Sequence, residues 1–122
     1  MYKKEIMKIL TILSFLLIPL ISHSTEYSDL EGNYYIGGKT IHDAPKNEPK
    51  NTHLYIKITG NAAKDMYQMI KTKPKYDICL DNGSMTKFSR SIQCTESKDK
   101  KSYSCHFSLN PNDETIGSGL IC

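Results

Sequence analysis

The sequence predicts an α+β fold, with one short helix packed on a small, mainly antiparallel sheet that is stabilised by two disulfides. Three observations point there. A strictly alternating segment, His53–Thr59, runs straight into a stretch of helical periodicity. Beyond Pro74, short strand-like runs are separated by turn signals. All four cysteines, Cys79, Cys94, Cys105 and Cys122, fall within the last 44 residues.

The chain opens on residues that read as an export signal. Lys3, Lys4 and Lys8 form a basic head, and Ile9 to Ile21 is almost wholly apolar. That run is short of the roughly 20 residues a helix needs to span a bilayer. Ser22-His23-Ser24 offers small residues at the −3 and −1 positions for cleavage before Thr25. The expectation is a signal peptide over residues 1–24 and a single small secreted or periplasmic domain over 25–122, with no stable membrane anchor after cleavage.

Within 25–122 the reading proceeds by pattern. Residues 25–32 are a polar lead-in, and Asn33–Ile41 has strand composition interrupted by Gly37-Gly38. His42–Thr52, with two prolines and alternating charge, is a surface loop. In His53–Thr59, Leu54, Ile56 and Ile58 share one face, and His53, Tyr55, Lys57 and Thr59 the other. Asn61 is placed to cap a helix whose Ala62, Ala63, Met66, Met69 and Ile70 form the apolar stripe, both methionines being assigned to the core. That helix should end before Lys73-Pro74, because the residue before proline is pushed out of helical geometry. Strands are then expected at Tyr76–Leu80, near Met85–Phe88, and at Ser91–Thr95, Ser102–Ser108 and Thr115–Cys122. Asp81-Asn82-Gly83 and Asn110–Asp113 mark turns between them.

The cysteines carry a pairing argument. If the Glu96–Lys101 hairpin turns about Asp99-Lys100, strand positions pair where their numbers sum to 199, which sets Cys94 against Cys105. Cys79 and Cys122 then form the second bond. Three pairings exist for four cysteines, and this one is preferred. Such bonds suit an oxidising compartment and a modest core. Residues 25–122 hold nine Ile and five Leu but no Val or Trp, with seven Tyr supplying most of the aromatic area. No Cys-x-x-Cys spacing occurs, and no metal site or cofactor is expected.

Charge narrows the function classes. The whole chain carries +3, of which residues 25–122 retain +1, too little for the basic field of a nucleic-acid binder. Ser118 lies in Gly117-Ser118-Gly119, which lacks the full Gly-x-Ser-x-Gly elbow. With His42, His53 and His106 it makes no recognisable catalytic set, so no catalytic residue is assigned. Two basic clusters are candidate binding residues: Lys98, Lys100 and Lys101 at the hairpin tip, and Lys71, Lys73 and Lys75 at the helix exit. The expected function is a non-enzymatic binding protein with a protein partner, an inhibitor or immunity-type protein acting on a cell-envelope enzyme or toxin. The alternatives are a structural or adaptor protein of the envelope and a small periplasmic hydrolase.

Overall fold

A computed structural model describes Ile21 and residues 25–121. The remaining residues of the expected signal segment lie outside the described residues, as does Cys122. Among the described residues, seven strands and one helix follow in the order β1 (Glu31–Gly37), β2 (His53–Thr59), α1 (Gly60–Met69), β3 (Lys75–Tyr76), β4 (Met85–Ser89), β5 (Ile92–Glu96), β6 (Tyr103–Asn110) and β7 (Thr115–Gly117). They form one antiparallel sheet in the order β1-β2-β6-β5-β4-β3, with β7 paired to the end of β6 that β5 does not reach. The expected α+β class, with a helix on an antiparallel sheet, is what forms.

The helix seat is a single row across the sheet. Gly32 pairs Ile58, Ile58 pairs Cys105, Cys105 pairs Cys94, and Cys94 pairs Lys87, so five strands place these residues side by side on one face. Ala63 of α1 lies directly above, fully buried, with its carbonyl oxygen 3.5 Å from Cys105 Sγ. Small residues on both sides let helix and sheet approach closely, and Ile58, Tyr67, Cys94 and Cys105 complete the buried cluster. Tyr67 meets Tyr103 edge-on, with ring centroids 5.6 Å apart.

Both helix ends are settled from outside the helix. Gly60 has a φ of +67°, the left-handed conformation that lets the chain turn sharply out of β2, and a β-carbon there would run into the Glu31 carboxylate. Thr59, not the expected Asn61, is the N-cap, and it makes no side-chain capping bond. Glu31 brings a negative charge to this positive end of the helix dipole. At the other end Lys87 Nζ donates to the carbonyls of Tyr67 (3.1 Å) and Ile70 (3.2 Å), and stands 4.5 Å from the Tyr67 ring centroid. The last turn of α1 has no basic residue of its own, so the sheet supplies the cation.

The opposite sheet face is buried through polar groups. Tyr55 is only 4% exposed, its hydroxyl donating to Gly38 O (2.6 Å) and its ring stacked on Tyr35 at 4.7 Å. The 38–52 loop that covers it is held by Glu48, which accepts from the Thr40 hydroxyl (2.6 Å) and amide (3.1 Å). Near the β3–β4 end, Asp77 accepts from the amides of Cys79 and Leu80 (each 3.0 Å) and from the Thr86 hydroxyl (2.7 Å). Thr86 in turn lies 2.9 Å from Thr95 Oγ1.

Several expectations are corrected. Among the described residues there is one disulfide, Cys94–Cys105, where two were expected. The other expected bond, Cys79–Cys122, ends on a residue outside the described set, and Cys79 is not a free thiol. The Tyr76–Leu80 strand shrinks to Lys75–Tyr76, because Asp77 gathers the following amides into a turn. The closing strand stops at Gly117, and Met69 is 65% exposed because α1 ends there. The first strand begins two residues early, at Glu31.

Three outcomes are expected. Replacing both Cys94 and Cys105 by alanine should lower unfolding free energy by about 3 kcal/mol in urea titration, through an unfolded chain freed of its cross-link. Lys87→Met should cost about 1–3 kcal/mol and loosen the last turn of α1 in amide exchange. Burial raises the Asp77 pKa, but the Thr86 hydroxyl and the Leu80 and Cys79 amides more than reverse this, so it falls below the usual carboxylate value. Its stabilisation is therefore complete above about pH 4 and is lost as pH falls through the lower folded-state value. Asp77→Asn should lower neutral-pH stability by about 1–3 kcal/mol and flatten the acid limb of Tm against pH.

Candidate functional site

The β5–β6 hairpin ends in a tip built by its own side chains. Ser97 N donates to Ser102 O (2.9 Å) and Lys100 N to Ser97 O (2.8 Å). The Ser97 hydroxyl donates to Asp99 Oδ1 (2.6 Å), which also accepts from Lys101 N (3.1 Å), while Ser102 N donates to Ser97 Oγ (3.0 Å). Lys100 takes a left-handed φ of 59° to close the turn. The Ser97 hydroxyl, then the Lys101 amide, holds the Asp99 carboxyl below its ordinary pKa. Its charge is thus directed into the turn, and the three lysines around it are left exposed. Below the tip, the Cys94–Cys105 bond ties the two strands together, and Tyr103 donates its hydroxyl to Glu96 Oε2 (2.7 Å).

The three tip lysines divide between two faces. Lys98 lays its aliphatic stem over Gly83, whose φ of +86° and closeness to that stem exclude any larger residue. Asn82 and Ser84, on either side of that glycine, line a trough of about 320 Å³ together with Lys57, Thr95 and Ser104. Lys100 and Lys101 instead line a groove of about 480 Å³ with Thr59, Asn61, Lys64 and Tyr103, where the tip comes alongside the start of α1. Lys64 is the basic residue that sequence reading left out. It lies on the polar face of an amphipathic helix, and only the packing of β2, α1 and the hairpin brings it to the tip.

Lys71, Lys73 and Lys75 are exposed at the helix exit but do not join this group. Thr72 fixes their segment by donating to Phe88 O (2.8 Å), and Phe88 pairs Gln93, at the end of β5 away from the tip. The residues weighed for catalysis are also scattered. His42 is exposed, and Ser118 donates to Leu120 O (2.8 Å). His53 Nδ1 lies 2.8 Å from Thr52 Oγ1. Lys57 stands opposite His106, so His53, four residues along β2, is about 13 Å from that pair.

His106 is half-buried, and its Nδ1 has no hydrogen-bond partner. Burial first, and the nearby Lys57 charge second, lower its pKa. Among the described residues, no group of three or more His, Cys, Asp or Glu side chains is arranged to hold a metal ion. Nor is any helix there long and apolar enough to cross a membrane.

Because Asp99 organises the tip, Asp99→Ala should release the Lys101 amide and speed its hydrogen exchange at least about tenfold. The Cys94 and Cys105 amides, deeper in the sheet, should keep their protection.

No protein family, no curated protein and no solved structure matches this chain.

Proposed function

We propose that this chain is an exported, non-enzymatic binding protein that neutralises a cell-envelope enzyme or toxin by seating its hairpin tip on an acidic surface of that partner. The observation that supports this reading is the tip itself. Its backbone is closed by its own side chains, with Lys100 and Lys101 exposed beside Lys64 along one groove. A tip ordered before binding loses little conformational entropy on docking. Clustered lysines speed encounter with an acidic site and select against basic ones. Enzymes that cleave wall polysaccharides present catalytic carboxylates in a cleft, a chemistry that such a tip complements.

The disulfide suits an oxidising compartment, and the apolar run Ile9–Ile21 behind a basic head supports export. Intact mass of the protein recovered from outside the cytoplasm should therefore begin at Thr25. A mass that retains residues 1–24 would overturn the exported part of the reading.

The binding test uses the oxidised protein as bait against purified wall hydrolases and against extracellular toxins of the producing cell's competitors. One stoichiometric partner is expected, with its activity suppressed. Lys100→Glu combined with Lys101→Glu should weaken binding at least about tenfold, mainly through a slower and less salt-dependent association rate. Lys71→Glu and Lys73→Glu should change it less than about threefold. A partner bound equally well by the tip variant would transfer the interface elsewhere.

A further inference from the structure

We propose that β1 is the contact edge of a homodimer, pairing antiparallel with β1 of a second copy of this chain. β1 and β3 end the main strand order, and β7, only three residues long, is paired on one side alone. β3 is two residues long, follows Pro74, and carries an exposed lysine at Lys75 with another at Lys73. A short, charged, proline-flanked edge resists further pairing. β1 is neither short nor flanked by proline, and its one charge is Glu31 at its start. Its seven residues, Glu-Gly-Asn-Tyr-Tyr-Ile-Gly, keep unbroken register with β2 and include no Lys or Pro. Tyr34, Tyr35 and Ile36 are 68%, 54% and 62% exposed. An edge of this kind offers a row of main-chain donors and acceptors to an incoming strand. Tyr35 is already held in place by its stack on Tyr55.

Charge selects a second copy as the incoming strand. The chain enters β1 through Glu26 and Asp29 and leaves it through Lys39, all exposed. Two identical strands running antiparallel set the acidic approach of each against the basic exit of the other, and the two-fold axis repeats the contact. A parallel pair would bring like charges together. A register centred on Tyr35 also places Tyr34 of each copy opposite Ile36 of the other, an aromatic against a β-branched residue. Both then lie on the sheet face that carries α1, beside an apolar groove of about 220 Å³ lined by Leu30, Tyr34, Leu54 and Ile56.

The test is sedimentation velocity of the purified oxidised protein at low ionic strength over a concentration series. A concentration-dependent dimer is expected. Lys39→Glu and Asp29→Lys should each weaken it roughly tenfold, because each reversal sets like charges together at both symmetric contacts. The register centred on Tyr35 sets Lys39 opposite Glu31. An equimolar mixture of the two variants should therefore associate more tightly than either variant alone but less tightly than the parent, because at one of its two contacts the new carboxylate faces Glu31. Tyr34→Lys changes a side chain that is 68% exposed, so it should abolish the dimer while leaving unchanged the Tm measured at a concentration where the parent is monomeric. A parent protein that stays monomeric throughout would overturn the proposal. So would a dimer that ignores all three substitutions, or a mixture no tighter than its components.

Discussion

The fold hangs on one contact, the seating of α1 on the transverse row Gly32, Ile58, Cys105, Cys94 and Lys87. The row's centre is small enough for Ala63 to press onto it, and its far end provides the ammonium that donates to the carbonyls of Tyr67 and Ile70 at the end of the helix. A helix of ten residues is marginal alone in water, so its existence depends on this seat. The seat in turn depends on register. A slip of one residue between β5 and β6 would send Cys94 and Cys105 to opposite faces and remove the disulfide from beneath the helix. Hairpin, disulfide and helix are therefore three aspects of one alignment.

Much of this alignment was legible in the sequence. The alternation of His53–Thr59, the helical stripe from Ala62 to Ile70 and the polar tip at Asp99-Lys100 are local patterns, and each maps onto an element. The hairpin arithmetic that paired Cys94 with Cys105 was accurate because strand pairing near a tight turn has few other solutions. The shared face of Leu54, Ile56 and Ile58 was also right, yet Tyr55, assigned to the polar side, is more deeply buried than Ile56. That burial comes from the 38–52 loop, which no local pattern places over Tyr55: the tyrosine hydroxyl donates to Gly38 O, and alternation says nothing about that contact.

The misses share a physical cause. Lys87 as a helix cap, Asp77 as the organiser of a buried hydroxyl pair, and Lys64 as a neighbour of the hairpin tip all arise from contacts between distant segments. A lysine or aspartate in a strand-turn region reads as solvated charge, and only the assembled packing shows which charges have been drawn into structure. The lysine clusters illustrate the converse. Lys71, Lys73 and Lys75 look as suggestive in sequence as the tip residues, but the sheet sends them to another end of the molecule. Their composition is similar, but the support beneath them is not. The tip rests on a cross-linked pair of central strands, and the three helix-exit lysines rest on the Thr72 bond to Phe88 O and on the two-residue pairing of β3 with β4.

The strand order has a consequence for how the chain acquires its shape during synthesis. β6, the central strand that joins β2 to β5, is the last long strand to be made. Until it emerges, β1 and β2 can pair only with each other, and a two-stranded ribbon is barely stable in water. α1 has no cross-linked floor to settle on either. The early strands of such a chain have little to hold them until the β5–β6 hairpin is present, so most of the contacts that define this fold join segments far apart in sequence.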